Sequence, residues 1–212
     1  MHKLDRVREE SRKILDSGRG SHDWEHTERV CNMALHLAAF ENADPEIVEA
    51  AALLHDIGRH EQDRVHGKVS HEIISSEMAR PILESIGYQE DMMLQILHCI
   101  ESHRYRQGSV PDTAEARVLF DADKLDAIGA IGIGRAFVFA GEVGAAVHIR
   151  GLDIENTKSY TREDTAYREF KVKLEKIKDR IYTSEGKRIA VKRHEYMVSF
   201  FKRLDKEAEG KL

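Results

Sequence analysis

The sequence predicts an all-helical fold. Apolar residues recur three and four positions apart along most of the chain, which is the spacing of one face of a helix. Proline is scarce, at 3 of 212 residues, and no segment alternates β-branched with polar residues for long enough to make a strand. A chain of 212 residues can bury a substantial core, and we expect a single domain over residues 1–212.

Helix boundaries in the first half of the chain follow from capping residues. Ser21, Asp44, Ser70 and Thr113 are good N-caps, and Pro45 suits the first position of a helix. The predicted helices span residues 4–17, 21–39, 45–57, 71–86, 90–102 and 114–128, with loops at 58–69 and 104–112. The third helix should be central, because it is apolar on nearly every side, and Pro81 should kink or split the fourth.

The second half of the chain gives a weaker pattern. Residues 129–150 are rich in glycine and alanine, and their pattern predicts neither a helix nor a strand. Residues 151–164 are polar and loop-like. Apolar residues from Tyr167 to Ile181 keep a strict three-four spacing, which predicts one helix, and a last helix follows Gly186. This stripe is either core packing or an interface, so a homodimer stays open.

Composition excludes several classes of function. The net charge is −5, so we do not expect the protein to bind a nucleic acid polymer. No apolar run approaches the ~20 residues of a membrane helix, and the residues after Met1 lack the apolar segment of a signal peptide. Cys31 and Cys99 lie on apolar stretches and should be reduced. We therefore expect a cytoplasmic protein with no membrane partner.

Four residues of metal-ligand type stand on helix faces that also carry core residues: His26, His55, Asp56 and Asp123. Imidazole and carboxylate together suit a divalent ion, which with open coordination positions would activate water and polarise a phosphoryl oxygen. The alternative is that His55 and Asp56 merely cap a helix. An aspartate at a helix C-terminus opposes the helix dipole, which favours the metal.

The segments around these residues resemble the HD-domain superfamily of metal-dependent phosphohydrolases, in particular a small prokaryotic subgroup of predicted HD hydrolases. The matching segments are residues 21–30 (SHDWEHTERV), 51–59 (AALLHDIGR) and 121–135 (DADKLDAIGAIGIGR), together with the tail around residues 186–187 and 193–197. The resemblance covers most of the chain. It implies an HD-domain helical bundle, with a metal-site core at about 20–128 and a C-terminal helical extension at about 129–212.

The resemblance also implies roles for individual residues. It implies that a divalent ion (Mn, Mg, Co, Ni, Fe or Zn) is bound by His26, His55, Asp56 and Asp123, of which Asp56 and Asp123 are also the catalytic carboxylates. Asp123 is preferred over its neighbours because Ala122–Leu125 matches the family pattern Ala-Asp-x-Leu. Asp121 and Asp126 are expected behind the ligands or facing solvent.

Five further residues are candidates for binding the substrate or its phosphate: His22, Arg59, His71, His103 and Lys124. In binuclear HD proteins, histidines between the His-Asp pair and the last aspartate bind a second ion. That role is open to His71 and His103, although we favour an imidazole contact to phosphate. Arg59 and Lys124 would offset charge that develops on phosphate. Each of the five is also compatible with an ordinary surface or capping residue.

The resemblance implies a phosphohydrolase whose partner is a small phosphorylated metabolite, above all a nucleotide. A nucleoside triphosphate would give the monophosphate and pyrophosphate, with Mn²⁺ as the ion. The alternatives are a phosphomonoesterase or 5′-nucleotidase and, more remotely, a di-iron HD oxygenase or a nucleotide-sensing module without catalysis. The oxygenase alternative requires the histidines of the second ion.

Overall fold

Helices form where the capping and apolar patterns of the sequence place them. The structure is a computed structural model that describes residues 2–16, 23–64, 68–104 and 110–211, and all regular structure within these ranges is helical. The all-α prediction is therefore confirmed. Contacts divide the chain into two units, one of Met1–Asp123 with Tyr182–Glu185 and one of Lys124–Ile181 with Gly186–Leu212. Among the helices of the described ranges, none is long and apolar enough to cross a membrane.

The first unit is arranged around its third helix. Its elements are α1 (Lys3–Leu15), α2 (Trp24–Glu41), α3 (Pro45–Leu54), α4 (Arg59–Arg64), α5 (His71–Ile86), α6 (Glu90–Ser102) and the part of α7 (Ala114–Asp126) up to Asp123. Helix α3 packs against α1, α2, α5 and α6. Residues 50–54 are completely buried, because this apolar helix has neighbours on all sides. The prediction that it is central is confirmed.

Side-chain caps fix the starts of α2 and α3. Asp44 accepts a hydrogen bond from the backbone N–H of Glu46 at 2.8 Å, as predicted. The carboxylate of Asp23 accepts from the N–H of His26 at 2.9 Å, so Asp23 caps α2. Ser21 lies outside the described residues.

Two elements of the first unit differ from the sequence prediction. Helix α5 runs through Pro81 without interruption, so a split there is wrong, while a kink at Pro81 stays a prediction. Residues 59–64 form α4 instead of a loop, with the N–H of Arg59 bonded to the Asp56 carbonyl at 3.0 Å. This short helix is polar throughout, and no apolar periodicity could indicate it.

The second unit contains α8 (Gly129–Glu142), a 3₁₀ turn (Ile154–Asn156), α9 (Ala166–Val172), a 3₁₀ helix (Leu174–Arg180) and most of α10 (Ser184–Ala208). The continuous helix predicted from Tyr167 to Ile181 is wrong, because the backbone leaves helical geometry at Lys173 (φ −133°). A 3₁₀ helix has three residues per turn, so Leu174 and Ile177 still share one buried face. The Phe170 ring stacks on Phe201 of α10 with centroids 4.6 Å apart, which makes the stripe core packing.

Candidate metal centre

Helix ends bring six metal-ligand side chains together in the first unit. They are His26 in the first turn of α2, His55 and Asp56 directly after α3, His71 at the start of α5, His103 directly after α6, and Asp123 near the end of α7. Five of them are at most 1% exposed. The side chain of Asp123, at 14%, is the most accessible of the six.

The four ligands predicted from sequence form one group. The Nε2 atom of His26 lies 3.6 Å from Oδ1 of Asp123 and 3.6 Å from Oδ2 of Asp56. The Nε2 atom of His55 lies 3.7 Å from the same Asp56 oxygen and 3.4 Å from Nε2 of His26. One donor atom each from His26, His55 and Asp123 fits within a span of 4.8 Å, which is close enough to share an ion.

His71 and His103 form a second group with the other oxygen of Asp56. The Oδ1 atom of Asp56 lies 3.4 Å from Nε2 of His71 and 3.7 Å from Nε2 of His103. The two Nε2 atoms are 3.2 Å apart, and the three donor atoms again lie within 4.8 Å. Asp56 therefore faces one group with each oxygen.

Backbone carbonyls set which ring nitrogen of two histidines carries the proton. The Nδ1 atom of His55 donates to the carbonyl of Ala52 at 2.7 Å, and that of His103 donates to the carbonyl of Ile100 at 2.6 Å. A carbonyl can only accept, so these Nδ1 atoms are protonated and a neutral ring then presents an Nε2 lone pair to the centre. Burial lowers the pKa of His55 to about 4, which keeps its imidazole neutral near pH 7.

The donor set of the two groups fits a divalent transition-metal ion. Neutral imidazole nitrogens and carboxylate oxygens are the ligands that Mn, Fe, Co, Ni and Zn take in proteins. Burial also lowers the pKa of the His71 imidazole, so it too stays neutral. A buried carboxylate such as Asp56 is costly unless cations compensate it, and a bound ion would do so.

Cationic and polar side chains border the second group. Arg59 donates from Nε to Oδ1 of Asp56 at 3.0 Å, and its side chain is 24% exposed. Around His71, the Nδ1 atom lies 2.9 Å from Oε1 of Gln62, 3.3 Å from Oε2 of Glu72 and 3.0 Å from a guanidinium nitrogen of Arg104. Sequence reasoning missed Gln62 and Arg104, because residues 58–69 and 104–112 have the polar, non-periodic pattern of loops. It also missed Glu72, because a charged residue in the first turn of a helix is common without any function.

Not all sequence candidates lie among these contacts. Lys124 follows Asp123 on α7 and is half-buried, and its contact with a substrate stays a prediction. His22 lies outside the described residues. Asp121 is buried and accepts from the N–H groups of Tyr182 and Thr183 at 2.9 and 2.7 Å, so it does not face solvent. Asp126 is also buried and accepts from Arg135 at 2.7 Å in the second unit.

Comparisons with known proteins identify relatives of the chain. A model of the HD domain matches residues 23–128. The chain is 34% identical over 215 residues to the uncharacterized protein YpgQ of Bacillus subtilis (strain 168), a match that covers 99% of this chain and 96% of YpgQ.

Solved structures match over nearly the whole chain as well. Bacillus subtilis YpgQ in complex with ADP gives a TM-score of 0.75 at 32% identity, covering 97% of this chain and 94% of that one. An HD-superfamily hydrolase from Bacillus thuringiensis gives a TM-score of 0.77 at 29% identity, covering 98% and 97%. The six side chains of the candidate centre all lie within the matched HD domain. The chain belongs to the HD-domain family and is an HD-superfamily hydrolase that uses a divalent metal ion.

Proposed function

We propose that the protein hydrolyses nucleoside triphosphates to the monophosphate and pyrophosphate. The observation that carries this proposal is the buried convergence of His26, His55, Asp56 and Asp123, beside a guanidinium from Arg59. The solved complex of the related YpgQ with ADP supports a nucleotide as the ligand.

Two neighbouring ion positions that share Asp56 are part of the proposal. The first would be held by His26, His55, Asp56 and Asp123, and the second by Asp56, His71 and His103. A divalent ion in this centre supplies Lewis-acid polarisation of a phosphoryl oxygen and activation of water. His71 and His103 are candidates either as ligands of a second ion or as contacts to phosphate. Their donor atoms and one of Asp56 lie within 4.8 Å of one another, which favours the second ion.

Asp123 is the residue proposed to accept a proton. Its side chain is the most exposed carboxylate of the centre, so it can reach a water molecule that Asp56, at 1% exposure, cannot. Water would attack the α-phosphorus in line, the bond from that phosphorus to the bridging oxygen would break, and the proton would pass to Asp123. Pyrophosphate would leave with the bonding electron pair.

Arg59 is the residue proposed to hold the phosphate chain. Its Nε atom is engaged by Asp56 at 3.0 Å, while the guanidinium has further N–H donors and the side chain is partly exposed. A guanidinium so placed can donate to phosphate oxygens and offset charge that develops on them.

A hydrolysis screen tests the proposed function. Purified, Mn²⁺-loaded protein is incubated with nucleoside tri-, di- and monophosphates and with simple phosphomonoesters, and the products are identified. We expect triphosphates to yield pyrophosphate in one step. Sequential release of orthophosphate, or turnover of monoesters alone, would instead identify the phosphomonoesterase or 5′-nucleotidase.

A di-iron oxygenase is the second candidate function. The specific observation in its favour is the group of Asp56, His71 and His103, since an oxygenase requires two adjacent metal positions. Iron content and a spectroscopic signal of coupled iron in protein purified without added metal separate the two functions. A hydrolase gives phosphate products without consuming O₂.

A further inference from the structure

The Nδ1 atom of His71 has more hydrogen-bond partners than one ring nitrogen can serve. Oε1 of Gln62 lies 2.9 Å from it and a guanidinium nitrogen of Arg104 lies 3.0 Å from it, both at hydrogen-bond geometry, whereas Oε2 of Glu72, at 3.3 Å, makes no hydrogen bond. A carbonyl oxygen only accepts and a guanidinium only donates. Gln62 therefore requires a proton on Nδ1, whereas Arg104 requires a lone pair there, and a neutral imidazole can satisfy only one of the two.

The choice at Nδ1 decides what the opposite nitrogen offers to the centre. When Gln62 takes the Nδ1 proton, Nε2 of His71 presents a lone pair. It does so beside Oδ1 of Asp56 at 3.4 Å and Nε2 of His103 at 3.2 Å. Three electron-pair donors then converge, because the Nδ1 proton of His103 is fixed by the Ile100 carbonyl. That arrangement is complete only with a cation.

The opposite choice closes the centre without a cation. When Arg104 donates to Nδ1, the proton of His71 moves to Nε2, from where it can be donated to Asp56 or to the lone pair of His103. The second group then satisfies its own hydrogen bonds, and Nε2 of His71 is no longer a metal ligand.

We propose that Gln62 is a positioning residue that selects the metal-binding tautomer of His71, in opposition to Arg104, and so controls occupancy of the ion position formed by Asp56, His71 and His103. The inference rests on the two-ion part of the proposed function. Helix α4 thereby gains a role, because Gln62 on this helix contacts Nδ1 of His71, the ring nitrogen that faces away from the centre. Groups that orient a metal-bound imidazole in this way typically change metal affinity by about 10–100-fold.

Substitutions at position 62 separate the tautomer role from simple packing. Gln62→Ala removes the acceptor, and Gln62→Glu keeps an acceptor of the same shape that cannot donate. Arg104→Ala removes the competing donor. Gln95→Ala is the matched control, since Gln95 is an exposed glutamine on α6 whose amide donates to the Asp91 carbonyl one turn earlier.

The measurement is the number and affinity of bound Mn²⁺ ions, by equilibrium dialysis with elemental analysis, on full-length protein. We expect two equivalents for the wild type, Gln95→Ala, Gln62→Glu and Arg104→Ala. For Gln62→Ala we expect the weaker-bound equivalent to be weakened roughly 10-fold or more. A Gln62→Ala protein that binds like the wild type overturns the inference, as does a Gln62→Glu protein as weak as Gln62→Ala. Loss of the second ion in Arg104→Ala also overturns it.

The same titration distinguishes failure of the inference from failure of the proposed function. A wild-type protein that binds one equivalent of Mn²⁺ overturns the inference about Gln62. If that protein still releases pyrophosphate from a nucleoside triphosphate, the hydrolase proposal stands on its first ion position alone.

Discussion

Asp56 lies between the two groups of the candidate centre. Its Oδ2 atom faces His26 and His55, and its Oδ1 atom faces His71 and His103. A carboxylate used on both sides can bridge two ions or hold one while orienting the imidazoles of the other group.

Loss of Asp56 or His55 should empty the centre. We expect Asp56→Ala and His55→Ala to weaken Mn²⁺ binding by at least roughly 100-fold, because even a residue behind a ligand can contribute that much. Hydrolysis should disappear with the metal. Elemental analysis after gel filtration measures the effect, with Asp91→Ala, an exposed aspartate of α6, as control. Stoichiometric metal in Asp56→Ala would refute the ligand assignment.

Arg59→Ala should weaken catalysis even when the metal centre is saturated. It removes a donor to phosphate, so we expect kcat/KM for a nucleoside triphosphate, measured at saturating Mn²⁺, to fall roughly 100-fold. Arg64→Ala is the matched control, because Arg64 lies on the same short helix, is exposed and pairs with Glu61. Kinetics of Arg59→Ala that equal those of Arg64→Ala would assign Arg59 to an ordinary ion pair with Asp56.

At the scale of elements, the end of α3 and the start of α5 are held in close contact through Gly58. A Cβ atom at Gly58 would lie 2.6 Å from the backbone nitrogen of Ser75 and 2.9 Å from Cβ of Ile74. The N–H of Gly58 also donates to Oγ of Ser75 at 3.0 Å. This contact sets the distance between Asp56, just before Gly58, and His71 at the start of α5.

Gly58→Ala should therefore damage both stability and the second ion position. We expect the free energy of unfolding to fall by roughly 1–3 kcal/mol, since the backbone of α5 must move to admit the methyl group. Gly134→Ala on α8 is the control, because its Cβ would meet nothing within 4 Å and a helical alanine is favourable. Urea denaturation and Mn²⁺ titration of the two variants test this, and equal stability would contradict it.

The sequence predicts elements well where apolar periodicity and caps coincide. In helix α3, Asp44 and Pro45 indicate the observed start and the run 50–54 indicates its buried body, although the predicted end at 57 lies beyond Leu54. Prediction fails where the same spacing of apolar residues is compatible with two different secondary structures. The buried residues between Phe170 and Ile181 suit one α-helix or an α-helix followed by a 3₁₀ helix, and only packing decides at Lys173.

The candidate centre shows the same limit. Residue types and the family resemblance indicate His26, His55, Asp56 and Asp123, and the structure brings these four together. Their relation to His71 depends on how α5 meets α3, which is a tertiary contact without a local signal. Gln62 and Arg104 could not be predicted, since both lie in polar segments without apolar periodicity and meet His71 only through a tertiary contact.

At the scale of the whole molecule, the buried imidazoles make stability depend on pH. Burial lowers the pKa of His55 from 6.5 to about 4, and it lowers the pKa of His71 as well. Between pH 4 and pH 6.5 His55 is protonated in the unfolded chain and neutral in the folded chain, so the free energy of unfolding rises with pH. The stabilisation is complete above pH 6.5 and is lost as pH falls toward 4, with His55 alone accounting for about 3 kcal/mol.

Urea denaturation of the metal-free protein, prepared with a chelator, at a series of pH values measures this dependence. We expect the free energy of unfolding to fall from pH 6.5 to pH 4 in the wild type, and less steeply in His55→Gln, which cannot titrate at this position. Because carboxylates also contribute to acid unfolding, the difference between the two proteins is the test. Identical slopes would show that His55 is not a buried neutral imidazole.

Hydrolysis of a deoxynucleoside triphosphate in ¹⁸O-water, with mass analysis of both products, tests the central claim most directly. Attack of water on the α-phosphorus places the new oxygen in the monophosphate. Mn²⁺-loaded protein should therefore yield ¹⁸O in the monophosphate and unlabelled pyrophosphate. Label in the pyrophosphate, or no turnover of any nucleotide beside brisk turnover of a simple phosphomonoester, would contradict it.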